Sequence, residues 1–394
     1  MANVPSHVPA DRVIDFDIAN DPALKHDVFK RMEEVRDASP SVAWTTANGG
    51  HWLVFGQEEL QRVLNKTETF SSSHLAGGGE GPGFIPLSID PPAHAPWRIL
   101  LLKHFGPPQV RELEPFVREW AERLISKLDR ATHCDFVKSV AEPMPLSVFM
   151  VMMGLPLERF DEFRHLVLTA LTPPEPGEDM AERMGVHGKI MGILAELIEE
   201  RRREPRDDFV SRLLTEQMDG RPLTQPEMMS ICYLLFLAGL DTVVNAMTYG
   251  MRHLAADPEL QERLRRDRSL IPDTVEWLLR RYTFVNTNRL VMQDTELGGA
   301  TIKAGELVWC VLWGGSNDAA AETEGPRHMA FGGGHHICLG MYLARLEIRV
   351  MYETWFDHIG RFSLAPDDKP AMRGGTVMNI TRLLLNMEPA KVLA

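Results

Sequence analysis

The chain has 394 residues, of which 44% are hydrophobic and 25% charged, and its formal net charge is −13. This composition excludes a disordered chain, and the length is ample to enclose a ligand in a core. The acidic balance excludes nucleic acid or an anionic membrane as a partner for the surface as a whole. Four cysteines, Cys134, Cys232, Cys310 and Cys338, are too sparse for a disulfide framework and suit a reducing compartment.

In chain order, the N-terminal stretch MANVPSHVPADRVIDFD has no apolar h-region, and the apolar runs PLSVFMVMMGLPL and ICYLLFLAGL are too short or too proline-bounded to span a bilayer. A cytoplasmic protein is expected. HLAGGGEGPGF reads as loop, and so does TPPEPGED, Thr172 to Asp179, between two amphipathic helical runs. A long helix should start at Thr224, where TQPE is a capping box closed by Glu227, and run to Ala256 before Asp257-Pro258 starts the next one. At 1.5 Å per residue it is a rod of roughly 48 Å, apolar on nearly every face and therefore buried. A short helix is expected over Thr274–Tyr282 with Asp273 as N-cap. The alternating segment RLVMQDTELGGATIKAGELVWCVL, with Gly298-Gly299 and Gly305, reads as strands and hairpins. A further helix is expected over Leu339–His358, stopped by Gly360. The sum is a mainly α, minor β chain forming one compact domain over 1–394.

The sharpest chemical signal is FGGGHHICLG, Phe331 to Gly340. A thiolate at the start of a long helix gains from the helix dipole and free backbone N–H groups, which lower its pKa. Gly334 and Gly340 let the backbone approach a flat ligand closely. The alternatives are a buried structural cysteine, or a zinc site built from His335, His336 and Cys338. The second signal is AGLDTVVN, Ala238 to Asn245, in the middle of the buried rod. A buried carboxylate is costly unless it has a purpose or a partner, and a threonine hydroxyl there bonds back to the preceding turn and loosens the helix.

FGGGHHICLG resembles the haem-binding loop of the cytochrome P450 family, F-x-x-G-x-[HR]-x-C-x-G, at Phe331, Gly334, His336, Cys338 and Gly340. The resemblance implies a single-domain cytochrome P450 fold, with haem b (iron protoporphyrin IX) between the long central helix and the cysteine loop. It makes Cys338 the axial metal ligand and His336 a propionate contact. AGLDT is similar to the family's [AG]-G-x-[DE]-T, which implies a groove for dioxygen, with Thr242 holding protons or water beside it and Asp241 relaying protons from solvent. His94 and Arg98 match the family's H-x-x-x-R pair, and Arg289 its strand cation, all facing the haem carboxylates.

GLDTVVN, GFIPLSIDPP and LLRRY resemble the camphor-hydroxylase branch. Where that branch places a tyrosine that donates to a substrate ketone, this chain has Pro82. The matching pocket positions are Pro82, Phe84, Leu234, Leu237, Val285 and Val377, which implies a compact terpenoid or norisoprenoid substrate held by shape and area. The resemblance further implies a monomeric monooxygenase fed by a two-iron ferredoxin and its NADH-linked reductase, docking near Arg98, Lys103 and Arg345. A peroxide-driven enzyme and a non-catalytic haem-binding homologue are the alternatives. Two departures bear on the last. The family's E-x-x-R brace is absent, because Trp277 stands three residues before Arg280; Glu276, four before it, is expected to reach Arg280 or to cap the helix from Asp273. The stretch Ala319–Ala330 is also short, so weakened haem retention is expected.

Overall fold

The computed structural model describes residues 4–75, 83–128, 133–171, 180–317, 328–366 and 369–389. Helices dominate, and two apolar nuclei hold them. In the first, helices Pro107–Ile125, Asp241–Ala256, Ile271–Arg281 and Met341–His358 close around Met247, Met351, Tyr352 and Trp355. In the second, helices Pro143–Met153, Phe160–Leu171, Met180–Arg203 and Gln225–Ala238 enclose Phe149, Phe163 and Phe236.

The largest part of the minor β component is a six-stranded mixed sheet in the order Val13–Ile14, Val42–Thr45, His51–Val54, Leu307–Cys310, Thr287–Val291, Phe70–Ser71. The expected hairpin is present: Thr295–Leu297 pairs antiparallel with Ala300–Ile302. Its two-residue turn is Gly298-Gly299, at φ +55° and +75°, a left-handed pair that residues with a Cβ adopt only at a cost.

The rod expected over Thr224–Ala256 is two helices, Gln225–Ala238 and Asp241–Ala256, separated at Gly239-Leu240. The start is as expected: Thr224 Oγ1 accepts from Glu227 N–H, and Glu227 Oε2 accepts from Thr224 N–H at 2.7 Å. The break has a local cause. Thr242 Oγ1 donates to the Ala238 carbonyl at 3.0 Å, and Asn245 Nδ2 donates to the Asp241 carbonyl at 2.8 Å. Asn245 Oδ1 in turn accepts from Ile380 N–H at 3.0 Å, which pins the bend to a neighbouring strand. Among the described residues, Gln225–Ala256 is the one stretch of helix long and apolar enough to cross a membrane. Here it is interrupted and packed among other helices.

Two further boundaries differ from expectation. The short helix begins at Ile271, with Pro272 in its first turn, so Asp273 is inside it rather than its cap. The helix Met341–His358 runs directly into strand Ile359–Leu364, and Gly360 lies in that strand rather than stopping the helix. Thr172–Asp179, most of HLAGGGEGPGF and most of Ala319–Ala330 lie outside the described residues.

Candidate active site

A cavity of about 1160 Å³ lies between the broken helix and the cysteine loop, and Ala238, Gly239, Asp241, Thr242, Cys338 and Gly340 all line it. Cys338 is exposed and lines this cavity. Its N–H donates to the Phe331 carbonyl at 2.8 Å, three residues before the helix Met341–His358 begins. The expected low thiol pKa is not what the protein alone produces. Burial pushes the thiol up, while the Gly340 N–H and the charges of Arg98 and Arg345 pull it down less strongly. A bound metal cation is what would hold the sulfur as thiolate.

Gly334 also serves a different purpose from the one expected. At φ +62° its added Cβ would lie 2.1 Å from the Leu64 carbonyl oxygen, so glycine is required for packing against helix Gln57–Asn65. At Gly340 a Cβ would meet no protein atom within 4 Å, in keeping with its place on the cavity wall.

His94, Arg98, Arg289 and His336 converge on the same cavity. The rings of His94 and His336 are 4.4 Å apart. Burial pushes His336 down to about 3, helped by the charge of its cationic neighbours, and burial lowers His94 as well, so both are neutral donors at neutral pH. Arg289, 2% exposed, spends Nη1 on Thr287 Oγ1 at 3.0 Å and on the Asn288 carbonyl at 2.7 Å. Three buried nitrogens on this wall, His94 Nε2, His336 Nε2 and Arg289 Nε, have no partner within the described chain. Unpaired buried donors beside two guanidinium groups call for a ligand with paired anionic oxygens. Together with a cavity-facing sulfur and glycine-lined walls, they fit haem. No set of three or more His, Cys, Asp or Glu residues converges as metal ligands among the described residues, so His335, His336 and Cys338 do not form the zinc alternative.

Asp241 and Thr242 stand at the helix break. Burial pushes the Asp241 carboxyl up to about 6; a hydrogen bond with the Asn245 side chain opposes this and the charge of Glu142 adds to it. A carboxyl held there exchanges protons near neutral pH. Leu234, Leu237, Val285 and Val377 line the cavity, and Val285 and Val377 pair with each other in an isolated antiparallel bridge. Phe84 does not line it. Its ring packs on Tyr233 at 5.8 Å, and the wall nearby is formed by Leu75, Pro86 and Leu87. Pro82 lies outside the described residues.

The expected pairing of Glu276 with Arg280 is not formed. Arg280 Nε donates to the Ser316 carbonyl at 3.0 Å, whereas Glu276 takes both limbs of Arg345, at 2.6 and 2.9 Å, and the ring of His328 at 3.1 Å. The cysteine loop is therefore braced, by residues outside the missing motif. The basic docking patch also changes. Arg345 is committed to Glu276, Lys103 pairs with Glu216 at 2.7 Å, and Arg98 faces the cavity and donates to the Cys338 carbonyl at 3.4 Å.

Sequence reasoning passed over three residues at this site: Asn245, His328 and Glu347. Asn245 was legible only as the residue after DTVV. Glu347, nine residues beyond Cys338 and 2% exposed, lines the cavity with a buried carboxylate oxygen that has no hydrogen-bond partner among the described residues, and burial pushes it up to about 8. A carboxylate between the apolar neighbours Leu346 and Ile348 was the available signal.

Comparison with known proteins agrees with this geometry. The family model for cytochrome P450 matches residues 25–321 and 316–392. A probable cytochrome P450 127A1 of Sinorhizobium fredii is 31% identical over 97% of this chain and 96% of that protein. The linalool 8-monooxygenase of Pseudomonas putida is 27% identical over 86% of this chain and 90% of its own length. Among solved structures, cytochrome P450 CYP101C1 superposes with a TM-score of 0.89 at 36% identity, covering 98% of this chain and 100% of that one. CYP101J2 gives 0.88 at 33%, with 98% and 100% covered.

Proposed function

This chain belongs to the cytochrome P450 family, a haem-binding monooxygenase by that membership, and from this premise we propose that it hydroxylates a compact hydrophobic substrate, a terpenoid or norisoprenoid, with dioxygen and electrons from a two-iron ferredoxin. The observation that carries the reading is the pairing of an apolar wall, Leu234, Leu237, Val285 and Val377, with a buried acid and hydroxyl, Asp241 and Thr242, in the same cavity as Cys338. The names of the linalool enzyme and the two CYP101 neighbours are in keeping with it.

Haem, when bound, supplies the activation of dioxygen, and in our reading Cys338 holds its iron while His94, Arg98, Arg289 and His336 hold its carboxylates. The remaining steps belong to the chain. The aliphatic wall takes a small apolar molecule out of water and presents it by shape, since burial rather than hydrogen bonding is what these side chains offer. With proline at position 82, no tyrosine hydroxyl reads a ketone there. Thr242 leaves its hydroxyl at the break between helices, its proton engaged by the Ala238 carbonyl, so its oxygen is free to accept from water in the groove. Asp241 passes protons to that groove, working near its own pKa. We place the enzyme in the cytoplasm as a monomer, with an NADH-linked ferredoxin reductase as the electron source.

The test uses the purified haem form. Monocyclic and bicyclic terpenoids and norisoprenoids should produce a high-spin shift of the Soret band, and long fatty acids and steroids should not. Addition of a two-iron ferredoxin, its reductase and NADH should then give a hydroxylated product. A panel in which only large or strongly polar ligands shift the band would overturn the substrate class, and turnover with peroxide but none with any ferredoxin, reductase and NADH would overturn the electron source.

A further inference from the structure

The Glu276 carboxylate lies where three elements meet: helix Ile271–Arg281, helix Met341–His358, and the residues that lead into the cysteine loop. Arg345 Nε donates to Oε1 at 2.6 Å and Nη2 to Oε2 at 2.9 Å, a two-pronged grip. His328 Nε2 is 3.1 Å from Oε2, and Nδ1 of the same ring accepts the Ala330 N–H at 3.2 Å. With Nδ1 committed as acceptor, Nε2 carries the proton and donates to the carboxylate. The Arg345 guanidinium also lies 4.4 Å from the centre of the Phe331 ring, and the Phe331 carbonyl receives the Cys338 N–H at 2.8 Å.

One carboxylate thus reaches the cysteine by two limbs, through Arg345 and Phe331 and through His328 and Ala330. Position 277 offers no substitute. Trp277 is 44% exposed, with its ring edge-on to His253 at 4.9 Å, facing away from the loop. We infer that Glu276, acting through Arg345 and His328, is the positioning residue of the cysteine loop, and that the balance of charge between Glu276 and Arg345 sets the field at the Cys338 sulfur. The inference rests on the reading of Cys338 as haem ligand for its second half only; the ordering of the loop stands without it. Glu276 is held at about 2, where burial alone would raise it, because the His328 N–H and Arg345 outweigh that effect, so the carboxylate is charged at neutral pH.

The test uses the full chain with and without haem. In the apoprotein, amide exchange over Gly332–Cys338 should accelerate at least tenfold in Glu276→Gln and His328→Ala. In His328→Gln, whose amide also donates and accepts, it should stay close to the parent. In the haem form, the reduction potential should rise in Glu276→Gln, which leaves Arg345 unopposed, and fall in Arg345→Ala, which leaves Glu276 unopposed. A merely structural brace would not give opposite signs. Trp277→Glu added to Glu276→Gln should restore neither property. Unchanged loop exchange in Glu276→Gln, potentials that move the same way, or rescue from position 277 each overturn the inference. Should Glu276→Gln not fold, Arg345→Lys carries the test: it keeps the charge and loses the fork, so exchange should quicken while the potential holds. A parent protein whose reduced carbon monoxide complex absorbs at a histidine-like position would instead strike the reading of Cys338, leaving the loop measurement intact.

Discussion

Replacing Asp241 with asparagine should make the protein more stable and the enzyme worse, and the first effect should depend on pH in a defined way. Burial raises this carboxyl from an ordinary 3.8 to about 6. The folded chain therefore resists ionisation that the unfolded chain accepts. The cost appears as pH climbs past 3.8 and is complete above about 6, where it amounts to about 3 kcal/mol. Asparagine has the same shape and carries no charge, so Asp241→Asn removes that cost. A chain of this length gains unfolding entropy of about 0.8 kcal/mol per degree near its melting point, so Tm should rise by about 4 °C at pH 8. At pH 4 the same substitution should gain less than about 1 °C, because the folded carboxyl is protonated and the unfolded one is only roughly 60% ionised, which leaves a cost of about 0.6 kcal/mol.

Function should move the other way. At pH 7 a carboxyl with a pKa of about 6 is protonated roughly one part in eleven, against roughly one in sixteen hundred for an ordinary aspartate. The buried group is a far better stocked proton donor, and its loss should lower coupled product formation by about 10²-fold or more. Calorimetry of parent and variant at pH 4 and pH 8 checks the first half, and product formed per NADH consumed checks the second. An equal gain in Tm at both pH values, or none at either, would refute the assignment of a costly buried charge to this position.

Cys338→Ser should fold but fail to give the red-shifted Soret band of the reduced carbon monoxide complex, read in a single absorption scan; retention of that band would remove the cysteine from the iron. Arg289→Met should stabilise the apoprotein, since it takes away a buried guanidinium with an unpaired Nε, and should hasten haem transfer to an acceptor globin by at least tenfold. Val377→Phe adds volume to the apolar wall, where overpacking costs about 1–3 kcal/mol, so terpenoid binding read from the Soret shift should weaken roughly 5- to 150-fold while the ferrous spectrum is unchanged. On acidification, Glu276 should contribute to unfolding. Its pKa is lowered to about 2, so its stabilising pairing is present above 4.5 and is lost as pH falls toward 2, and Glu276→Gln should flatten that part of the acid-melting curve.

The parts of this site that were legible in the sequence are those where one residue type is demanded by chemistry. A cysteine before a helix in a glycine-rich loop and an Asp-Thr pair in an apolar run stand out from the residues themselves, whereas the cations His94, Arg98 and Arg289 came with the resemblance to the cytochrome P450 family. The break in the long helix was half visible: the threonine back-bond was foreseeable, but the tether from Asn245 to Ile380 joins residues 135 apart in sequence and leaves no local pattern. The brace was misread for a related reason. Glu276 and Arg280 share a helix face, so local geometry favoured that pair, but tertiary packing brings Arg345 to the carboxylate from 69 residues away. Gly334 illustrates a third kind of miss. Its need for glycine was clear, whereas the neighbour that imposes it, Leu64, is visible only in the folded chain. Phe84 turned aside onto Tyr233 because an aromatic partner was available there.

The tether at Asn245 has a mechanical consequence. One arm of its amide grips the carbonyl of Asp241, and the other grips strand Asn379–Ile380, whose hairpin also carries Val377. Tyr249, one turn further along the same helix, fastens the Met378 carbonyl at 3.1 Å. The cavity-lining hairpin and the helix kink are thus riveted to each other at two points. On the proposed roles of Val377 and Asp241, a guest that pushes the hairpin outward should drag the kink with it, so that a poorly fitting molecule spoils proton delivery even when it leaves the acid untouched.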